Sequence, residues 1–186
     1  MSEEDRSRWD ARYAEQGPAP TEAPAPLPVF ASLEHCLPHS GRALEVACGR
    51  GRGALWLAHR GLHVHGVDVS PIAVELAREL VERAGVAGRC RLEVFDLDRG
   101  LPEGPPVDLL LCHLFRDSRL DALMMQRLGP GGVLAVAVRS EVDVGPGRYR
   151  AAPGELLRAF ASLECLAQGE AAGVAWLIGR RPPGSA

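Results

Sequence analysis

From Arg42 to Arg180 the chain alternates short apolar runs with stretches of helical periodicity, and this alternation restricts its fold more than any other feature. "ALEVA", "LHVHGVD", "RCRLEVFD", "VDLLLCHL" and "GGVLAVAV" read as strands. Between them, "GALWLAHRG", "SPIAVELARELVERAG" and "DSRLDALMMQRL" read as helices. The second of these carries its own boundary signals, with Ser70 as N-cap, Pro71 in the first turn and Gly85 as the stop. A last helix in "APGELLRAFA" precedes "LECLAQ" and "GVAWLIGR", which read as a hairpin. Strands alternating with helices require right-handed crossovers, hence a parallel sheet covered on both faces. The expected fold is a single α/β domain with a doubly wound sheet of seven strands, mostly parallel with the last strand antiparallel.

Length and charge narrow the function. At 186 residues and 46% hydrophobic, the chain can fill one sizeable core but not two. Its formal net charge of −3 disfavours a broad basic surface that grips nucleic acid. The chain contains no lysine, which excludes Schiff-base and P-loop lysine chemistry. Five scattered cysteines (Cys36, Cys48, Cys90, Cys112 and Cys165) form no C-x-x-C pair and read as reduced intracellular core thiols. His35, Cys36 and His39 lack a fourth ligand nearby, so no metal is expected. The start "MSEEDRSRWD" is acidic and polar, unlike a signal peptide, and no apolar run approaches a membrane span. A cytoplasmic protein is therefore expected. Residues 1–41 divide into a helix ending at Gly17, an extended, mobile Pro-rich connector and a leading apolar-faced helix; residues 42–186 form the main domain.

Three glycines within five positions, Gly49, Gly51 and Gly53, separate the first strand from its helix. In an open α/β sheet, ligands bind beyond the carboxyl ends of the strands at this place, and glycine lets them approach the backbone. Gly49-x-Gly51-x-x-Ala54, with Asp68 further on, fits a dinucleotide loop and leaves an NAD-dependent oxidoreductase open. Glu45 weighs the other way. A carboxylate beside the loop repels a pyrophosphate but favours S-adenosylmethionine, with its ammonium and sulfonium. Asp68 is placed to accept from both ribose hydroxyls and Asp96 from the adenine amino group, while "LGPGGVLAV" reads as a tight turn into strand five. Arg50 and Arg52 read as solvent-facing.

Taken together, "LEVACGRGRG", "VDVS", "FDLD", "VDLLLCHLF" and "LGPGGVL" resemble the class I S-adenosylmethionine-dependent methyltransferases, a Rossmann-like family, from about Arg42 onward. With "RWDARYAEQG" and the Pro-rich connector added, the chain is similar to the small tellurite-resistance-type and thiopurine-type members. The resemblance implies that Trp9 and Tyr13 close over the cofactor as a lid. It further implies that Glu45, Ala47, Cys48, Gly49 and Gly51 hold the methionyl end, and that Asp68, Val69, Asp96, Leu97 and Cys112 line the nucleoside. Ala47 stands where many relatives have Gly, Glu45 where Asp is commoner, and Gly53 where close relatives often have Asp. The end of strand four, "CHLFRD", should face the transferring methyl, making His113 the candidate base and Arg116 the candidate grip on an anionic substrate. No N/D-P-P-Y/F stands there, which argues against a nucleic-acid amino group and for a small-molecule acceptor, such as a thiol or metalloid. A non-catalytic cofactor-binding module is the remaining alternative.

Overall fold

The computed structural model describes residues 3–20, 27–147 and 149–184. Seven strands form one sheet: β1 (Gly41–Val46), β2 (Leu62–Asp68), β3 (Cys90–Val94), β4 (Val107–His113), β5 (Leu128–Arg139), β6 (Glu164–Ala171) and β7 (Val174–Arg180). Their order is β3-β2-β1-β4-β5-β7-β6, and only β7 runs antiparallel to its neighbours. The α-helices are α1 (Glu3–Gln16), α2 (Arg52–His59), α3 (Pro71–Arg83), α4 (Asp121–Arg127) and α5 (Glu155–Ala159).

Period-2 alternation assigns each strand residue to a face. Leu109 and Leu111 of β4, with Ala135 and Ala137 of β5, pack under α2, α3 and the leading segment. Leu110, Cys112, Leu134 and Val136 point to the opposite face, against α4 and α5. Because β1 and β4 are buried on both faces, their near-continuous apolar runs belong at the centre of the sheet. Ser70 caps α3 as expected, its hydroxyl accepting from the Ala73 N–H. Gly17 and Gly85 terminate their helices with positive φ.

Three local expectations are corrected. The leading segment Pro28–Cys36 is a 3-10 helix. Its apolar residues Leu27, Phe30, Leu33 and Cys36 recur every three positions and pack on the core, which is the period of that tighter helix. The "GPGG" turn lies inside β5, where Gly131 has φ +76° and donates its N–H to the Arg181 carbonyl, while the Arg181 N–H donates to the Gly132 carbonyl. The run is thus an irregular start to the strand, matched by a register shift between Val107 and Leu109. Cys165 is exposed, so it is not a core thiol. In the Pro-rich connector, residues 21–26 lie outside the described residues.

Candidate active site

The carboxyl ends of β1, β2, β4 and β5 open into one cavity of about 1050 Å³, roofed by α1. Its lining includes Trp9, Tyr13, Glu45, Ala47, Cys48, Gly49, Asp68, Leu97, His113 and Arg116. Gly51, Val69, Asp96 and Cys112, the other expected site residues, do not line it.

Each loop glycine answers a different steric demand. A Cβ on Gly53 would stand 2.1 Å from Glu45 Oε1. At Gly51, where φ is +78°, it would stand 2.8 Å from Ala77 Cβ, so this glycine lets α2 approach α3. At Gly49 it would meet the Tyr13 hydroxyl at 3.0 Å. The loop is therefore shaped as much by the protein's own packing as by ligand access. Ala47 holds the left-handed conformation (φ +53°) that a glycine would adopt without strain.

Glu45 is the most informative side chain. It lies on the α2 face of β1, in register with Leu111 of β4, and is 97% buried. The carboxylate faces the Ala54 N–H, yet Oε2 has no hydrogen-bond partner although it is buried. Burial raises its pKa to about 8; the Ala54 hydrogen bond opposes the rise and the Asp68 charge adds to it. A buried anion without a partner is unstable on its own and calls for a cation. An ammonium group fits there and a pyrophosphate does not, which separates the two cofactors the glycine pattern left open.

Asp68 is also buried, and burial raises its pKa. Its Oδ2 accepts from the Gly49 N–H (2.9 Å) and its Oδ1 from the Ser70 N–H (3.0 Å), which ties the loop to the end of β2. The Val69 N–H also bonds this carboxylate, which still leaves it acceptor capacity for a ribose hydroxyl. Asp96, by contrast, is turned into a local cap: it accepts from the Asp98 N–H at 3.0 Å and precedes a 3-10 turn at Leu97–Arg99. The assignment of Asp96 to the adenine amino group therefore finds no support in its position, whereas Leu97 and Asp98 of the same turn reach the cavity. The Cys112 thiol faces the Phe115 carbonyl (3.2 Å), and burial pushes its pKa up to about 12.

The helix α1 is held by contacts that the sequence pattern did not disclose. Trp9 and Tyr13 stack with ring centroids 5.7 Å apart. Asp10 bonds the Ser70 hydroxyl. Arg50, expected in solvent, donates to the Gln16 (3.3 Å) and Gly17 (2.8 Å) carbonyls and so binds the end of α1 to the glycine loop. Burial, with the nearby Asp68 and Cys48, pushes the Tyr13 hydroxyl pKa well up, so Tyr13 stays neutral.

His113 ends β4 on the same face as Glu45, and burial together with the Arg52 charge lowers its pKa. Its imidazole is thus neutral at physiological pH and able to take a proton. Arg116 differs from its expected role. It is bidentate to Asp121 (2.6 and 2.9 Å) and donates to Glu155 (2.7 Å), so three of its donors are committed to the protein. This geometry makes it a brace for the floor between β4 and α5.

Residues 43–132 match a methyltransferase domain family. The ribosomal RNA small subunit methyltransferase C of Alcanivorax borkumensis is 32% identical over 118 residues, covering 58% of this chain and 35% of that protein. A probable thiol methyltransferase 2 of Arabidopsis thaliana is 39% identical over 77 residues, covering 40% and 33%. The chain thus spans from about a quarter to under half the length of the curated relatives it matches. The crystal structure of TehB from Haemophilus influenzae superposes with TM-score 0.75 at 14% identity, over 93% of this chain and 67% of the other. In its sheet order, its glycine loop under α1 and a buried carboxylate suited to an ammonium, the chain is similar to the class I S-adenosylmethionine-dependent methyltransferases, and its residues 43–132 carry the match to a methyltransferase domain.

Proposed function

We propose that this protein transfers the methyl group of S-adenosylmethionine to a small-molecule acceptor with a thiol or similarly soft nucleophile. The carrying observation is the roofed cavity: its 1050 Å³ suits a nucleoside donor with a small acceptor, and α1 covers it at Gly49. Bound there, the donor supplies a methyl on a positive sulfur. Within residues 1–41, α1 acts as the lid and the leading segment Pro28–Cys36 packs on the core, while residues 42–186 form the catalytic body. Glu45 takes the ammonium, while Asp68 accepts from the ribose. Trp9 and Tyr13 exclude water, and His113 accepts the acceptor's proton. Orientation and water exclusion supply most of the rate, because a soft anion needs little further activation. The thiol methyltransferase relative supports this class of acceptor. The ribosomal RNA relative names the rival one.

The test is transfer of labelled methyl from the donor to panels of thiols, phenols and metalloid oxyanions, run beside ribosomal RNA and total protein. Label is expected in the small-molecule fraction. Label confined to RNA or protein overturns the reading. Donor binding without turnover on any panel favours a non-catalytic role.

A further inference from the structure

We infer that the acceptor is a small organic anion, anchored by Arg139 and Arg52 beside His113. This rests on the methyl-transfer reading and adds a substrate class to it. The support is a separation of unbalanced charge across the cavity. Along β2, β1, β4 and β5 the side chains at the cavity floor run Asp68, Glu45, His113 and Arg139. His113 follows Leu109 and Leu111 on one face of β4, while Arg139 follows Ala135 and Ala137 on the same face of β5. His113 is in register with Ala137, so Arg139 lies two residues beyond its neighbour. Arg52, in the first turn of α2, lines the same space, close enough to depress the imidazole.

The other acids near this end are already balanced. Asp121 and Glu155 hold Arg116, and Asp98 and Asp117 hold Arg119. Arg8 pairs with Asp5, and Arg150 donates to the Ser140 carbonyl. Among the described residues, the guanidiniums of Arg139 and Arg52 have neither an ion pair nor a hydrogen bond; Arg12, the other cavity arginine without one, lies over the Trp9 ring on α1. The donor's cation thus belongs at the Glu45 end, and an anion completes the Arg139 end. A carboxylate, sulfonate or phosphate on the acceptor meets one or both guanidiniums in charge-assisted hydrogen bonds, which leaves its nucleophile beside His113. In the transfer, the acceptor's sulfur–hydrogen bond gives its proton to the imidazole. The sulfur lone pair then takes the methyl, and the carbon–sulfonium bond electrons remain with the departing thioether.

The experiment is calorimetric titration of the full chain saturated with S-adenosylhomocysteine. The probes are 4-mercaptobenzoate and 4-methylthiophenol, alike in ring and sulfur, with 4-mercaptobenzenesulfonate as a second anion. Both anions are expected to bind at least about tenfold more tightly than the neutral thiol, with the margin shrinking as salt is added. Arg139→Gln and Arg52→Gln should each remove most of that preference, while affinity for S-adenosylhomocysteine stays within about twofold and the neutral thiol is unaffected. Equal binding of charged and neutral probes overturns the inference, as does failure of the anions to bind. It is also overturned if the substitutions weaken S-adenosylhomocysteine binding in place of anion binding, because the arginines then serve the methionyl carboxylate. Anion preference without methyl transfer to any small molecule would instead defeat the methyl-transfer reading alone.

Discussion

Glu45 concentrates the residue-scale chemistry. Its carboxyl is largely protonated in the free protein below about pH 8, so binding a cationic donor must release a proton. Affinity for S-adenosylhomocysteine should rise between pH 6 and pH 8, by up to about tenfold per unit, and calorimetry in buffers of different ionisation enthalpy should detect the released proton. Glu45→Gln should flatten that profile and weaken binding at least about tenfold, the expected loss of a charge-assisted contact. The stability linkage has the opposite sense. The folded pKa lies above the unfolded one, so the free protein loses stability as pH rises from about 4.5 to about 8. Free Glu45→Gln protein should therefore melt above wild type at pH 8, with the gap closing toward pH 5; a gap that widens at low pH would refute this. Ala47 offers a simpler test. Its left-handed backbone should make Ala47→Gly stabilising by about 0.5–1 kcal/mol in urea titrations, despite the entropy glycine costs. That the loop would be glycine-rich was evident from "ACGRGRG", but not which glycine served packing, because Ala77 and Glu45 lie far from their partners in sequence.

Among the elements, α1 is held differently from the rest. It contains no fully buried residue and rests on polar ties to Ser70 and the glycine loop plus the Tyr13 contact with Gly49. Few buried apolar contacts mean a low local opening free energy. Amides of Glu3–Gln16 should exchange fastest among the helices and slow on addition of S-adenosylhomocysteine, whereas those of β1 and β4 should be unchanged. Arg50→Ala should speed exchange in α1 alone. The packing of α2 on α3 is the rigid counterpart. Gly51→Ala forces a side chain against Ala77 and into a positive φ, a cost of about 2–4 kcal/mol readable as a lower urea midpoint. Helices with strong boundary signals, such as Ser70-Pro71 through Gly85, were legible in the sequence. The 3-10 form of Pro28–Cys36 was not, since apolar residues three apart also occur on the buried face of an α-helix.

Across the whole molecule the cavity is polarised, with acids over β1 and β2 and unbalanced arginine over β5. Its pH response should follow His113. With a lowered pKa, kcat/KM for a protonated acceptor should rise with pH along a limb that lies below that of an ordinary imidazole, and His113→Gln should remove that limb. A ligand that binds only the folded state at 100 times its Kd should add about 2.7 kcal/mol to stability, a check that S-adenosylhomocysteine joins lid and sheet into one unit. The sequence by itself determined the strand–helix alternation, the parallel sheet with its terminal hairpin, the glycine loop and the carboxylates beside it. These follow from periodicity and turn chemistry, which act between near neighbours. The tertiary structure alone decided that Asp96 caps its own turn, that Arg116 is held by Asp121 and Glu155, that Arg50 fastens the end of α1 to the glycine loop, and that the Arg139 guanidinium lines the His113 side of the cavity without an ion pair. Each of these depends on which charges meet across distant parts of the chain, and a guanidinium's partners are fixed only when the strands and helices carrying them have packed.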